Sequence, residues 1–329
     1  MILKELSIEN VRNHAQKKFN FEKKNYITGI NGAGKTSILE AIIVSISRKS
    51  FKTNKLSDMI TIKKEHSIIN ALFEKHNFDY KFLLKIEKNK KYHLLNGKKI
   101  EKLQDIIINF PIFIHSPYYE GLTDKSNRKK LSFIDKTLFF INKEYRILLK
   151  KHNRLIEQKK NLLIKHRDYK NIEIYNEMIT DLLKKILNYR KELLNSINER
   201  LRNHSTLKHI HFEIYQENIR NLINKEKTIN KSLLSSNSQT IKITNRDNIN
   251  IENLLSFGQK KELSIFTVYS TLKIIEENKK DDIIILLDDF EAGLDEKRVK
   301  IFYELFSKNQ IIITGVEKKY IKNINTINL

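Results

Sequence analysis

The sequence contains no cysteine. Disulfides and thiolate metal centres are therefore excluded, and the composition suits a reducing cytosol. Tryptophan is absent too, and there are only two prolines, Pro111 and Pro117. No apolar run approaches the roughly 18 residues that a membrane helix needs. The opening "MILKELSIEN" meets a charge at Lys4 before any signal-peptide core can form. These absences together predict a soluble, cytoplasmic protein with no membrane partner. Glycine is scarce, at eight in 329 residues, so each one is expected to serve a backbone conformation or a close approach that a side chain would forbid. Three of the eight, Gly29, Gly32 and Gly34, fall within one short stretch. Three more, Gly258, Gly293 and Gly315, fall in the last quarter of the chain.

Acidic residues are also in short supply. Lys and Arg number 62 against 39 Asp and Glu, a net charge of +23. Two readings of that excess stand side by side. One is a polyanionic partner, nucleic acid above all; the other is the Lys-, Asn- and Ile-rich usage of an AT-rich genome.

The clearest positive signal is "GINGAGKT", Gly29–Thr36, between the apolar "NYIT" and the helical pattern "KTSILEAIIVSIS". It fits the spacing G-x-x-x-x-G-K-[ST]. Glycines let backbone N–H groups wrap a phosphate, and the next helix offers its positive end. Gly29, Ile30, Asn31, Gly32, Ala33, Gly34, Lys35, Thr36 and Ser37 are thus the candidate nucleotide-binding residues. Lys35 is placed to reach the β- and γ-phosphates and the Thr36 hydroxyl to ligate Mg²⁺. A second component is "IIILLDD", a fully apolar strand ending in carboxylates, where ligands sit in open α/β sheets. Asp288 is the candidate Mg²⁺ ligand and Asp289 the candidate catalytic carboxylate, polarising a water for attack on the γ-phosphate. A third is "LLSFGQKK", which sets Ser256, Gly258 and Gln259 at the start of a long helix as a second anion site. "EAGLD", ending at Asp295, follows the carboxylate strand, and "IIIT" ends the next strand on Thr314.

Elsewhere the pattern is coarser. Residues 1–125 alternate like strands, with an Asn96-Gly97 hairpin inside an antiparallel meander, and "PIFIH" reads as a short buried strand. From 126 to 205 helical spacing takes over without glycine or proline, predicting two antiparallel helices of about 35 residues, each near 50 Å. Residues 206–329 return to an α/β pattern. The expected architecture is an α/β ATPase head in two halves, 1–125 and 206–329, split by a helical arm at 126–205.

The order of phosphate loop, signature, carboxylate strand, D-loop and switch residue resembles an ATP-binding-cassette head of the SMC-like branch. The segments "LSIENVRNH", "GINGAGKTSILEAI", "SRKSFKT", "FID" at 133–135, "HNRLIEQKKNLL", "LLSFGQKK" and "LLDDFEAGLD" resemble the bacterial RecF family of recombination mediators over essentially the whole chain. The sequence departs from that family's pattern at Pro117-Tyr118-Tyr119 and at Lys130-Leu131-Ser132. The resemblance implies a P-loop SMC-like head with an inserted helical second lobe, and ATP and Mg²⁺ as cofactors. It also implies an ATP-dependent homodimer in which Ser256, Gly258 and Gln259 act in trans, Asp295 forms the D-loop and Thr314 the switch. Arg12 would contact ATP from the first strand-loop. The implied activity is a weak DNA-dependent ATPase serving as a switch in repair of single-strand gaps, with duplex and gapped DNA, RecR and RecO as partners. The rival reading is a sensor ATPase of the same head fold, with a role such as phage defence. The 34 residues after Asp295 leave little room for the effector domain such proteins append.

Overall fold

The computed structural model describes residues 1–165, 169–229, 231–279 and 282–329. In chain order it opens with strands β1 (Ile2–Val11), β2 (His14–Asn20) and β3 (Lys24–Thr28), then helix α1 (Lys35–Ser47). There follow β4 (His66–Lys75), β5 (Phe78–Glu87), β6 (Lys91–Leu95), β7 (Lys98–Lys99), α2 (Leu103–Asn109) and β8 (Ile112–His115). The middle of the chain holds α3 (Asn127–Ile141), α4 (Lys143–Lys165), α5 (Tyr169–Arg202), β9 (His211–Gln216), α6 (Ile219–Ile229) and β10 (Gln239–Thr244). It closes with α7 (Phe257–Lys279), β11 (Ile284–Leu287), α8 (Glu296–Leu305), β12 (Gln310–Gly315) and β13 (Asn325–Asn328).

Contacts divide the chain into two units. The first comprises Met1–Glu120, Phe257–Leu272 and Lys280–Leu329, and it contains two sheets. One is antiparallel, in the order β2-β1-β4-β5-β6-β7; the other is wholly parallel, β13-β3-β12-β11-β8. Helix α1 packs on strands of both sheets. That position explains its sequence: Ile38, Leu39, Ala41, Ile42, Val44 and Ile46 are all buried, so the helix is apolar on most faces rather than along one stripe. In the parallel sheet β11 has a neighbour on each side, and Ile284–Leu287 are completely buried, as a central parallel strand requires. Register then lines up the strand ends. Leu287 lies beside His115 and Ile313, and Gly315 lies beside Thr28. The residues that follow β3, β8 and β11, together with the last residues of β12, therefore share one edge.

The second unit is Gly121–Ser256 with Lys273–Lys279. It is larger than the expected arm at 126–205, because β9 and β10 pair antiparallel and pack on α5 and α3. Among the described residues the helical stretch also falls into three helices where two were expected. Asn142 makes the break: it is extended (φ −127°, ψ 112°), its N–H bonds Leu138 O, and its side chain accepts from Tyr145 N at 2.8 Å. One residue thus ends α3 and caps α4, and asparagine is among the preferred N-cap residues because its side-chain oxygen can accept such a bond. Buried charge fastens the unit. Arg190 is fully buried and grips Asp135 with Nε (2.8 Å) and Nη2 (2.7 Å). Its Nη1 donates to Ser236 O and Gln239 Oε1, and Tyr145 donates to Asp135. Lys159 pairs with Glu226, which also accepts from the N–H groups of Leu233 and Leu234. These bonds tie Glu226, Ser236 and Gln239 to α4 and α5. Lys130 and Leu131, in the divergent segment, are buried as well, with Lys130 2.7 Å from Glu252. No helix among the described residues is long and apolar enough to cross a membrane.

Candidate functional site

The loop between β3 and α1 is shaped by its glycines and by a strap from the N-terminal hairpin. Gly34 caps α1 in the left-handed region (φ 95°), and Gly32 is left-handed too (φ 85°). A Cβ on Gly34 would stand 2.3 Å from His14 Nε2 and 2.5 Å from Asn13 Oδ1. Those two side chains hold the loop: Asn13 Nδ2 donates to Gly32 O at 3.0 Å, and His14 Nε2 meets Gly34 O at 3.2 Å. "RNH" and "GAGKT" are therefore one structural unit. Lys35 lies back over the loop, its ammonium donating to Gly29 O (2.6 Å) and Ile30 O (3.0 Å).

At the shared edge of the parallel sheet one carboxylate collects three hydroxyls. Asp288, 3% exposed at the end of β11, accepts from Thr36 Oγ1 at 3.0 and 3.1 Å. It also accepts from Ser116 Oγ (2.8 Å) after β8 and from Thr314 Oγ1 (2.7 Å) at the end of β12. Asp289, its neighbour, is exposed and left-handed (φ 52°). This backbone is strained for a residue with a side chain, and Asp tolerates it better than most. Thr314 Oγ1 accepts from Asp289 N at 3.0 Å, and Lys261 Nζ reaches up from α7 to Asp289 O and Ala292 O. Burial lowers the Lys261 ammonium to about 8, with Asp289 and Asp288 opposing that shift. The two adjacent aspartates thus differ in kind. One is sunk among hydroxyls beside the phosphate loop, and the other is held outward by its backbone.

The remaining candidates fall in different places. Ser256 is exposed and immediately precedes α7, while Gly258 and Gln259 lie in its first turn. Gly258 is closely packed on Gly293: a Cβ there would be 3.3 Å from Gly293 O. The Phe257 ring covers Gly293 itself. Asp295 is the N-cap of α8, accepting from Arg298 N at 2.8 Å, a bond that holds its carboxyl below the usual range. Arg12 uses part of its guanidinium inside the fold. Its guanidinium grips the buried Glu40 of α1 with Nε (3.0 Å) and Nη2 (2.8 Å) and donates to Asp58 O. The hydrogen bond to Glu40 raises its pKa, and two N–H groups remain for any nucleotide.

Sequence reasoning missed Ser116, Lys261 and Glu291. Ser116 follows the apolar strand "PIFIH" as Asp288 follows "IIILL", so the same strand-end argument was available for it. Glu291 is buried and accepts from Tyr26 OH and from the N–H groups of Lys319, Tyr320 and Ile321. It pins the segment after β12, and only the fold reveals those partners.

A "DNA replication and repair protein RecF" of Clostridioides difficile (strain 630) is 29% identical over 346 residues, covering 98% of this chain and 93% of that protein. A solved structure described as the recombination mediator protein RecF-ATP in the RecFOR pathway superposes with a TM-score of 0.82 at 24% identity, over 97% of this chain and 93% of that one. The Smc head domain from Pyrococcus furiosus aligns with a TM-score of 0.52 at 17% identity, over 96% and 89% of the two chains. The family described as the RecF/RecN/SMC N terminal domain matches residues 2–328. A strapped phosphate loop facing a hydroxyl-lined aspartate, in a chain matched from end to end, makes this protein a member of that RecF/RecN/SMC family.

Proposed function

We propose that the chain is an ATP-dependent DNA-binding protein of replication and recombinational repair, a weak ATPase that uses slow hydrolysis as a switch. The observation that carries this is the Asp288 cluster, which gathers Thr36 from the first turn of α1, Ser116 just after β8 and Thr314 from the end of β12. Its donors are all hard oxygens, a set that fits Mg²⁺, a cation usually held by one or two carboxylates together with substrate phosphates. Thr36 and Asp288 would hold that ion, directly or through water, and when bound it would neutralise charge on the phosphates. Gly29–Ser37 wrap the phosphates, Lys35 meets the β- and γ-groups, and Asp289 orients and activates the attacking water. Ser256, Gly258 and Gln259 grip the nucleotide of a second copy, so ATP closes a homodimer, with Asp295 and Thr314 relaying between the sites. The names of the relatives, a DNA replication and repair protein and a recombination mediator of the RecFOR pathway, support DNA, RecR and RecO as partners; duplex and gapped DNA as the forms bound, and the cytoplasm as the place, belong to the same proposal.

Equilibrium binding of a fluorescent ATP analogue tests the nucleotide half. Lys35→Met should abolish binding, because the β- and γ-phosphates lose their main cation. Wild-type affinity in that variant would place the phosphates elsewhere. Duplex binding by the wild type in the presence of ATP tests the other half.

A further inference from the structure

The second unit contains a basic cleft of about 360 Å³. Its walls are the end of α5 (Arg202), the following turn (Lys208, His209), the first residue of β9 (His211) and the loop after β10 (Asn245, Arg246, Asn248). Among the described residues, no carboxylate lines it. We infer that this cleft is a phosphate-binding site for a nucleic-acid backbone, an inference that rests on the DNA-binding reading above.

Three observations carry it. The first is unspent charge. Arg202, Lys208 and Arg246 are all exposed, and none has an ion pair among the described residues. Arg200, two residues earlier, is paired with Glu277 at 2.7 Å. A cation at the end of α5 also answers the negative end of the helix dipole. That accounts for Arg202 but not for Lys208 or Arg246, which lie outside any helix.

The second is a fixed frame. The pairing of Thr244 with His211 sets the two walls side by side. In the turn, Leu207 and Ile210 are buried at 1% and 4% exposure, and Ile210 N bonds Leu207 O, so Lys208 and His209 are left facing out. In the loop, Asn245 Oδ1 accepts from Asp247 N (3.0 Å) and Ile249 N (2.9 Å), and Asn248 closes the turn with φ 60°. Arg246 is thereby presented from a formed loop, and less ordering entropy is lost on binding.

The third is the chemistry of the donors. Two guanidinium forks, an ammonium, two amides and two imidazoles form a set rich in N–H groups, and the forks match phosphate oxygens in bidentate fashion. A chain with an excess charge of +23 adds long-range attraction for a polyanion.

The experiment uses the full chain and a dye-labelled oligonucleotide, with anisotropy followed across a salt series. The variant is Arg202→Gln/Lys208→Gln/Arg246→Gln. The charge-matched control is Lys88→Gln/Lys90→Gln/Lys91→Gln, in exposed positions at the β5–β6 hairpin. Each phosphate contact contributes about 0.9 to the slope of log K against log salt, so the cleft variant should lose about 2 to 3 and the control less than about 1. A urea unfolding midpoint and a far-UV circular dichroism spectrum at the wild-type level show that the variant is folded; Arg246→Gln alone, on a loop, serves if the triple change is not, with an expected loss of about 0.9. Equal losses in variant and control, or none in the variant, overturn the site while leaving the DNA reading intact. A wild type that binds no oligonucleotide at low salt overturns both. Inorganic pyrophosphate is the second probe. If its binding is lost in the cleft variant while oligonucleotide binding is unchanged, the cleft serves a free phosphate compound and the nucleic-acid assignment fails.

Discussion

Replacing Gly34 by alanine tests how the strap and the phosphate loop depend on each other. Two costs follow from the structure. The left-handed backbone (φ 95°) opposes any Cβ by about 1–2 kcal/mol. The new methyl also falls 2.3 Å from His14 Nε2 and 2.5 Å from Asn13 Oδ1. Both are side-chain ends, so they swing away rather than force the backbone apart. In doing so they give up the bonds to Gly34 O and Gly32 O, about 1 kcal/mol each. The total is about 3–4 kcal/mol. Gly32→Ala is the internal control. It too is left-handed (φ 85°), but nothing lies within 4 Å of its Cβ, so only the backbone cost of about 1–2 kcal/mol applies. Urea unfolding of the two variants should therefore differ by about 2 kcal/mol, and ATP-analogue affinity should fall further in Gly34→Ala. In an Asn13→Ala/His14→Ala background the gap should close, since the obstructing groups and their bonds are already gone. Equal destabilisation by Gly32→Ala and Gly34→Ala would refute the reasoning.

Binding and assembly should also separate. Ser256→Arg is expected to bind ATP, its phosphate loop intact, yet stay monomeric on sedimentation, whereas Asp289→Asn is expected to dimerise on ATP and remain dimeric. A Ser256→Arg protein that dimerises and hydrolyses normally would sink the in-trans role of the signature. Acid should weaken the fold early. Burial lowers His93 to about 4 and His115 to about 3, so neither takes up a proton as the pH falls from about 6.5, while both imidazoles of the unfolded chain do. The stability they support is complete above about pH 6.5 and declines below it, by up to about 1.4 kcal/mol per pH unit for each imidazole. Urea midpoints at about pH 7 and pH 5.5 measure this, and His115→Asn should show a shallower decline. A midpoint that is flat over that interval would contradict the assignment.

Local pattern made much of the site legible. The Gly29–Thr36 loop stands out because the pattern expected of a phosphate loop is glycines and a lysine at fixed spacing in one continuous stretch. Asp288 and Thr314 were legible because apolar strands such as "IIILL" and "QIII" end in polar residues at the edge where ligands collect. The break at Asn142 was not legible. Nothing in its neighbourhood lacks helical character, and the break depends on a side-chain cap that many helical asparagines do not form. The arm's larger extent escaped for a related reason. Residues 206–256 look like more α/β sequence until Glu226, Ser236 and Gln239 are seen bonded to Lys159 and Arg190.

What the sequence by itself determined was the motif order: a glycine loop with G-x-x-x-x-G-K-[ST] spacing, a strand ending in paired aspartates and "LLSFGQKK" at a helix start, in SMC-like order. Those features are short and contiguous, and their physics is local. The tertiary structure alone decided which hydroxyls surround Asp288, and that Arg12 spends its guanidinium on Glu40. It also decided that Arg202 and Arg246 line one cleft although 43 positions separate them in the sequence. Such partners meet through strand register and buried ion pairs spanning dozens to hundreds of residues. No local periodicity carries that information, because those contacts exist only once the sheets and helices have packed.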